Sequence, residues 1–168
     1  KASMDHHETN EGFGDAFSVD GTRASTGELA LEFVRALGVE VAPDIAANVF
    51  VALATDTGNF NYKSTDARAY RAAAECVDAG ANVGVLTKKA FRTRSLARTM
   101  LLGEALMRIK TRCDGKIAYT FVNNDMLSRT GATLEDAGNI SNYLNEVAGV
   151  MVGVYFEEQS DNTKISWR

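Results

Sequence analysis

The sequence contains no apolar run approaching the ~20 residues that a membrane-spanning helix needs. No basic-then-apolar segment opens it, so nothing points to export and a cytoplasmic setting is the expectation. Cysteine is scarce. Cys76 and Cys113 stand far apart without metal-ligand spacing, and read as reduced thiols rather than a disulfide scaffold. Histidine is equally scarce: the chain has two, His6 and His7, and they are adjacent. An excess of positive charge is also missing, since 18 Lys and Arg against 22 Asp and Glu give a formal net charge of −4. Proteins that hold long nucleic acids through phosphate contacts are usually basic. A long duplex is therefore not the expected partner. A substrate that carries phosphate must be small, with metals and a few arginines meeting its charge locally.

What is present is an ordinary globular composition, 45% hydrophobic and 24% charged over 168 residues. That suits one domain or two small ones. Ser25-Thr26-Gly27-Glu28 has the capping-box form, and Leu29, Phe33 and Leu37 follow at helical spacing. Gly38 stops that helix. Pro43 and Asp44 open a second, with Ile45, Val49 and Leu53 on one face, ending near Asp56. Ser64 or Thr65 caps a third, Ala-rich from Asp66 to Ala79. The helical pattern continues from Asn82 to Lys110 with a polar break at Arg92-Thr93-Arg94-Ser95. Beyond it, Asp114-Gly115 between two alternating runs predicts a hairpin, and Ser160-Asp161-Asn162 predicts another. A helix is expected between them from Leu134 to Ala148, with Ile140, Leu144 and Val147 inward. The expected fold class is α/β: a helix-rich first part over residues 1–84, a helical linker over 85–110, and an α+β part with antiparallel strand pairs over 111–168.

Asp5-His6-His7 puts a carboxylate and two imidazoles on consecutive residues at an apparent strand end. Alternation along an extended chain would send Asp5 and His7 one way and His6 the other. A polar strand end explains the tripeptide as well as a ligand set does. Asp56 sits where an otherwise apolar helix stops, in Ala54-Thr55-Asp56-Thr57-Gly58-Asn59-Phe60. A carboxylate there opposes the helix dipole, a cost that a nearby cation relieves. An ordinary Asx turn before glycine is the plainer reading. Arg92, Arg94 and Arg98 with Lys88 and Lys89 make the linker basic, which suits a solvated helix face or the guidance of an oligonucleotide. Tyr143 and Phe156 read first as core residues and second as stacking partners for a base.

In that order, Asp-His-His, Ser-Thr-Gly-Glu and Thr-Asp-Thr-Gly with an aromatic at Phe60 resemble the DHH phosphoesterase family. The likeness is to its branch of bacterial nano-RNases and 3′-phosphoadenosine-5′-phosphate (pAp) phosphatases, and it extends over essentially the whole chain. The resemblance implies the later part of a DHH domain, a parallel sheet with helices, followed by the first part of the DHH-associated substrate-binding domain. It implies a hydrolase with two divalent metal ions, Mn²⁺ or else Mg²⁺, acting on short oligoribonucleotides or pAp. A cyclic or linear dinucleotide phosphodiesterase, or a non-catalytic nucleotide sensor on the same scaffold, are the alternatives. Carried over by residue, His6 and Asp56 are metal ligands. Asp5 and His7 stand at the catalytic centre, Asp5 as a supporting group and His7 beside substrate phosphate. Arg168, in a Ser-x-Arg run, contacts substrate phosphate. A homodimer fits the likeness, and a membrane partner does not. Two metal-binding motifs of the family that precede this stretch, and a glycine-rich loop that follows it, are not in the sequence. The chain is therefore expected to be an internal segment holding part of the metal shell, and inactive alone.

Overall fold

The computed structural model describes residues 1–168 and divides into two compact units, Lys1–Thr93 and Arg94–Arg168. No helix is long and apolar enough to cross a membrane.

In the first unit β1 (Ala2–Asp5) and β2 (Ala16–Val19) pair in parallel, with Asp5 opposite Val19. The second strand falls in a stretch that reads as loop, because four residues give too short an alternation to register. Three helices follow, α1 (Thr26–Ala36), α2 (Pro43–Asp56) and α3 (Ala67–Asp78). Ser25 caps α1 by accepting from the Gly27 amide. Pro43 occupies the first position of α2, where its missing N–H costs nothing. The cap of α3 is Asp66, which accepts from the Arg68 and Ala69 amides, rather than Ser64 or Thr65. Small side chains let the helices approach: Ala46, Ala54, Ala69 and Ala73 surround Leu31, Val49, Phe50 and Leu53. Cys76 is buried among them, and burial pushes its thiol above the usual range, as suits a thiol held in its neutral form. The expected row on α1 departs from the core. Leu29 is buried, but Phe33 and Leu37 are exposed. Steps of four residues drift by about 40° per step at 3.6 residues per turn, so the far end of such a row swings off the buried face. Helix α4 (Val83–Thr87) and one π-helical turn (Lys88–Arg92) complete the unit.

The second unit opens with α5 (Leu96–Leu106), capped by Ser95. Then come β3 (Lys110–Arg112), β4 (Ile117–Val122), α6 (Asn124–Thr130), a 3₁₀ turn (Leu134–Ala137), α7 (Ile140–Asn145), β5 (Val152–Glu158) and β6 (Thr163–Trp167). The sheet order is β3-β4-β5-β6. Both expected hairpins form, and β3–β4 and β5–β6 are antiparallel. The central pair was not anticipated: β4 and β5 run parallel, Ile117 opposite Val152. A parallel neighbour requires a crossover, and α6, the 3₁₀ turn and α7 supply it. The single helix expected over 134–148 is broken at Gly138-Asn139, where Asn139 takes a left-handed φ of 69°. Ile140 and Leu144 are buried as expected, while Val147 lies past the helix and is exposed. One core joins Leu101, Ala105, Met126 and Ile140 of the helical segments to Val122 and Tyr155 of the sheet.

Candidate metal centre

In parallel sheets ligands gather at the carboxyl ends of strands. Asp5 ends β1, and the Asp20 amide donates to its carbonyl oxygen just beyond the end of β2. His6 and His7 lie past that strand end. The Asp5 carboxylate gathers them. Its Oδ1 accepts from the His6 amide at 2.7 Å, the His7 amide at 3.2 Å and His7 Nδ1 at 2.8 Å, while Oδ2 accepts from Asn10 at 2.6 Å. The Asn10 and His7 side chains hold the Asp5 carboxyl far below the usual carboxylate range. Asp5 therefore stays ionised and organises a turn. The turn also ends strand alternation. The His6 and His7 rings do not point opposite ways but lie 4.3 Å apart between centroids.

His6 leads to Asp56. Its Nδ1 is 3.3 Å from the Arg23 carbonyl oxygen. A carbonyl can only accept, so Nδ1 is the donor in that contact. Nε2 lies 3.5 Å from Asp56 Oδ2, with the His6 side chain 15% exposed and the Asp56 side chain 36% exposed. Asp56 is the last residue of α2, as its sequence context indicated. Its Oδ2 accepts from Ser25 Oγ at 2.7 Å, and Ser25 Oγ accepts from the Gly27 amide at 3.0 Å. Ser25 is thus both a helix cap and the residue that orients Asp56. Glu28 does not close the expected capping box on Ser25. Its carboxylate accepts from the Ala24 amide instead, and 3.7 Å away stands Arg23, which also pairs with Asp20 and Glu32.

A proton on Nε2 or a cation between the two groups would each satisfy an imidazole nitrogen and a carboxylate oxygen facing one another at 3.5 Å. The donor set of imidazole nitrogen and carboxylate oxygen suits a hard-to-borderline divalent ion. The backbone carbonyl behind Nδ1 is the kind of outer partner that fixes a metal-bound histidine. Asp5, His6 and His7 also present ligand atoms within 4.8 Å of one another. His7 is exposed, and with Nδ1 tied to Asp5 its Nε2 is free to face solvent. The residues present therefore fit a metal ion. Sequence reading singled out Asp5, His6, His7 and Asp56. It missed Asn10 and the Arg23 carbonyl, and took Ser25 as a cap alone. The only available signal for Ser25 was that a serine cap has a hydroxyl proton left to donate.

Arg168 belongs to the second unit. Its backbone exchanges hydrogen bonds with Gly153, extending the β5–β6 ladder. With Lys164, Ser166, Asn139 and Tyr155 it lines a cavity of about 400 Å³. Lys164, Ser166 and Arg168 are alternate residues, so β6 turns all three to one side. Burial, then the Glu157 carboxylate beside it, push the Tyr155 phenol well above its usual range, so it stays a neutral donor. Phe156 packs edge-to-face on Tyr119.

No family model matches the chain. It is similar to the bifunctional oligoribonuclease and PAP phosphatase NrnA of Thermus thermophilus, 31% identical over 99% of the chain and 49% of that protein. It is also similar to the protein of the same name from Bacillus subtilis, 23% identical over 98% of the chain and 53% of that protein. An exopolyphosphatase-related protein of Bacteroides fragilis has the same fold, with a TM-score of 0.93 over 99% of the chain and 50% of its own, at 23% identity. The chain thus spans about half the length of the curated relatives it matches. The resemblance read from the motifs is borne out along the whole chain: it is DHH-like, and its curated relatives carry the names of the nano-RNase and pAp-phosphatase branch. The mixed α/β fold class holds as well.

Proposed function

We propose that this chain supplies part of the metal shell and part of the substrate site of a Mn²⁺-dependent hydrolase that cleaves short oligoribonucleotides and pAp. The observation that carries the reading is His6 Nε2 facing Asp56 Oδ2 at 3.5 Å, with Nδ1 tied back to the Arg23 carbonyl. The names of the relatives support the substrate class. His6 and Asp56 would hold metal, and further ligands would come from outside this stretch. A bound pair of such ions supplies a water nucleophile near neutral pH and charge neutralisation for phosphoryl transfer. The residues of the chain do the rest. Ser25 holds the Asp56 carboxylate at one rotamer, Asp5 clamps the turn that carries both imidazoles, and His7 offers a ring nitrogen beside the centre. Arg168 supplies a planar guanidinium that can grip a phosphate by two N–H groups.

The test is made on the full-length protein. His6→Ala and Asp56→Ala are expected to abolish Mn²⁺-dependent hydrolysis of a 5-mer RNA and of pAp. Arg168→Ala is expected to raise KM more than it lowers kcat. Undiminished turnover in the His6 and Asp56 variants would sink the assignment. Turnover of a linear or cyclic dinucleotide in preference to both substrates would move the reading to a dinucleotide phosphodiesterase.

A further inference from the structure

The basic run that opens the second unit has a shape the site above does not use. The Arg94 guanidinium lies over the Tyr143 ring, 5.7 Å from its centroid. One turn along, on α5, Arg98 reaches the Gly138 carbonyl oxygen at 3.4 Å. These three side chains and Asn139 line a small cavity of about 50 Å³. Arg23, Arg35, Arg68, Arg108 and Arg129 each pair with a carboxylate. Arg94 and Arg98 do not, so their charge is free. Asp136 also lines this cavity, its Oδ2 accepting from the Thr133 amide at 3.0 Å and the Thr133 hydroxyl at 3.3 Å, so one negative charge stands against the two guanidinium charges. The turn at Gly138-Asn139 walls both this cavity and the one that holds Arg168. Two depressions with free positive charge therefore flank one turn.

We propose that Arg94, Arg98 and Tyr143 form a second nucleotide subsite, which takes a short single-stranded oligonucleotide whose neighbouring phosphate lies at Arg168. This rests on the phosphoesterase reading and narrows it: the oligonucleotide uses both depressions, whereas pAp uses one. A space of 50 Å³ takes phosphate oxygens rather than a base. The base is left to stack on the Arg94 guanidinium plane, which Tyr143 backs from beneath. Stacking on arginine planes and aromatic rings, with cations along the backbone, is how single strands are held without sequence preference.

The experiment uses the full-length protein and an Arg94→Ala/Arg98→Ala variant, Arg94 being exposed and Arg98 half-buried. Binding of a fluorescein-labelled pentaribonucleotide and of pAp is measured in chelator, so that no turnover intervenes. The double substitution is expected to weaken the pentamer about tenfold and to leave pAp within about twofold. The slope of log affinity against log salt for the pentamer should fall by about 1.4, two phosphate contacts at ~0.7 each. Unchanged pentamer affinity would overturn the subsite, as would equal weakening of both ligands or a wild-type protein that does not bind the pentamer. A Tyr143→Leu variant repeats the comparison without removing charge, and pentamer affinity should again fall while pAp affinity holds. Hydrolysis with Mn²⁺ is assayed separately. Failure of the wild type to hydrolyse either substrate counts against the enzymatic reading, while the binding difference still decides the subsite.

Discussion

At the scale of single residues, the centre is built from side chains that each do two jobs. Ser25 caps α1 and donates to Asp56, so Ser25→Ala should cost about 1 kcal/mol as a lost cap. It should also weaken Mn²⁺ affinity about tenfold or more as a lost outer partner. Calorimetric titration together with thermal unfolding separates the two, and a Thr at the position should rescue both. Asp20 tests the other side. It binds the Thr22 hydroxyl and amide and the Arg23 guanidinium, and Arg23 offers its carbonyl to His6. The Thr22 hydroxyl, then Arg23, bring the Asp20 carboxyl down to about 2 from its ordinary 3.8. A carboxyl lowered on folding stabilises the protein above pH ~4, and that contribution is lost as pH falls toward 2. The Tm of Asp20→Asn should thus lie below wild type at pH 7 and converge with it near pH 2. A gap that stays constant down to pH 2 would show that the carboxylate charge is not what holds the loop. The residues of the candidate site were legible in the sequence because histidine is rare in it and Asp56 stands at the wrong end of a helix for its charge. Asn10 and Arg23 were not, since one acts as a donor five residues away and the other through its backbone.

Elements were legible where a local rule fixes them. The Ser25 cap, the helix-opening proline and the two hairpin turns each depend on a few consecutive residues and form as read, while the α3 cap shifts to Asp66 and Glu28 leaves the capping box. The parallel pairing of β4 with β5 was hidden, because nothing local distinguishes a strand that returns by a crossover from one that returns by a turn. The break at Gly138-Asn139 was hidden by the apolar spacing of Leu134 to Val147, which a 3₁₀ turn and a short α7 satisfy piecewise. One glycine records how tightly α7 then sits on the sheet. A Cβ on Gly153 would meet Leu144 Cβ and Asn145 Oδ1, each at 2.7 Å, and the Ser141 carbonyl oxygen at 3.1 Å. Two of these are backbone or the stem of a buried side chain and cannot swing aside. Gly153→Ala should therefore destabilise the protein by about 1–3 kcal/mol, the range for overpacking. Urea denaturation measures it. A neutral result would mean that α7 moves outward at little cost, and the cavity bearing Arg168 should then change with it.

The whole chain holds two hydrophobic cores rather than one. Leu53 lies at the centre of the first, with Phe50, Ala69 and Cys76, all within Lys1–Thr93. Leu101 lies at the centre of the second, with Val122, Met126 and Tyr155, all within Arg94–Arg168. The change in sequence texture near residue 110 announced two parts. The expected linker over 85–110 takes in α5, which reads as a continuation of the helical stretch before it but whose buried residues Leu101 and Ala105 pack with the sheet that follows. Leu53→Ala and Leu101→Ala each leave a cavity in a fully buried site and should each cost about 2–5 kcal/mol. The two share no partner, so their costs should add to within about 0.5 kcal/mol. Amide exchange locates each effect, because local opening follows the density of buried contacts. Leu53→Ala should speed exchange in α2 and α3 and spare β4 and β5, and Leu101→Ala should do the reverse. Equal acceleration across all four elements by either substitution would show one cooperative core, and the metal centre and the Arg168 cavity could then not be perturbed independently.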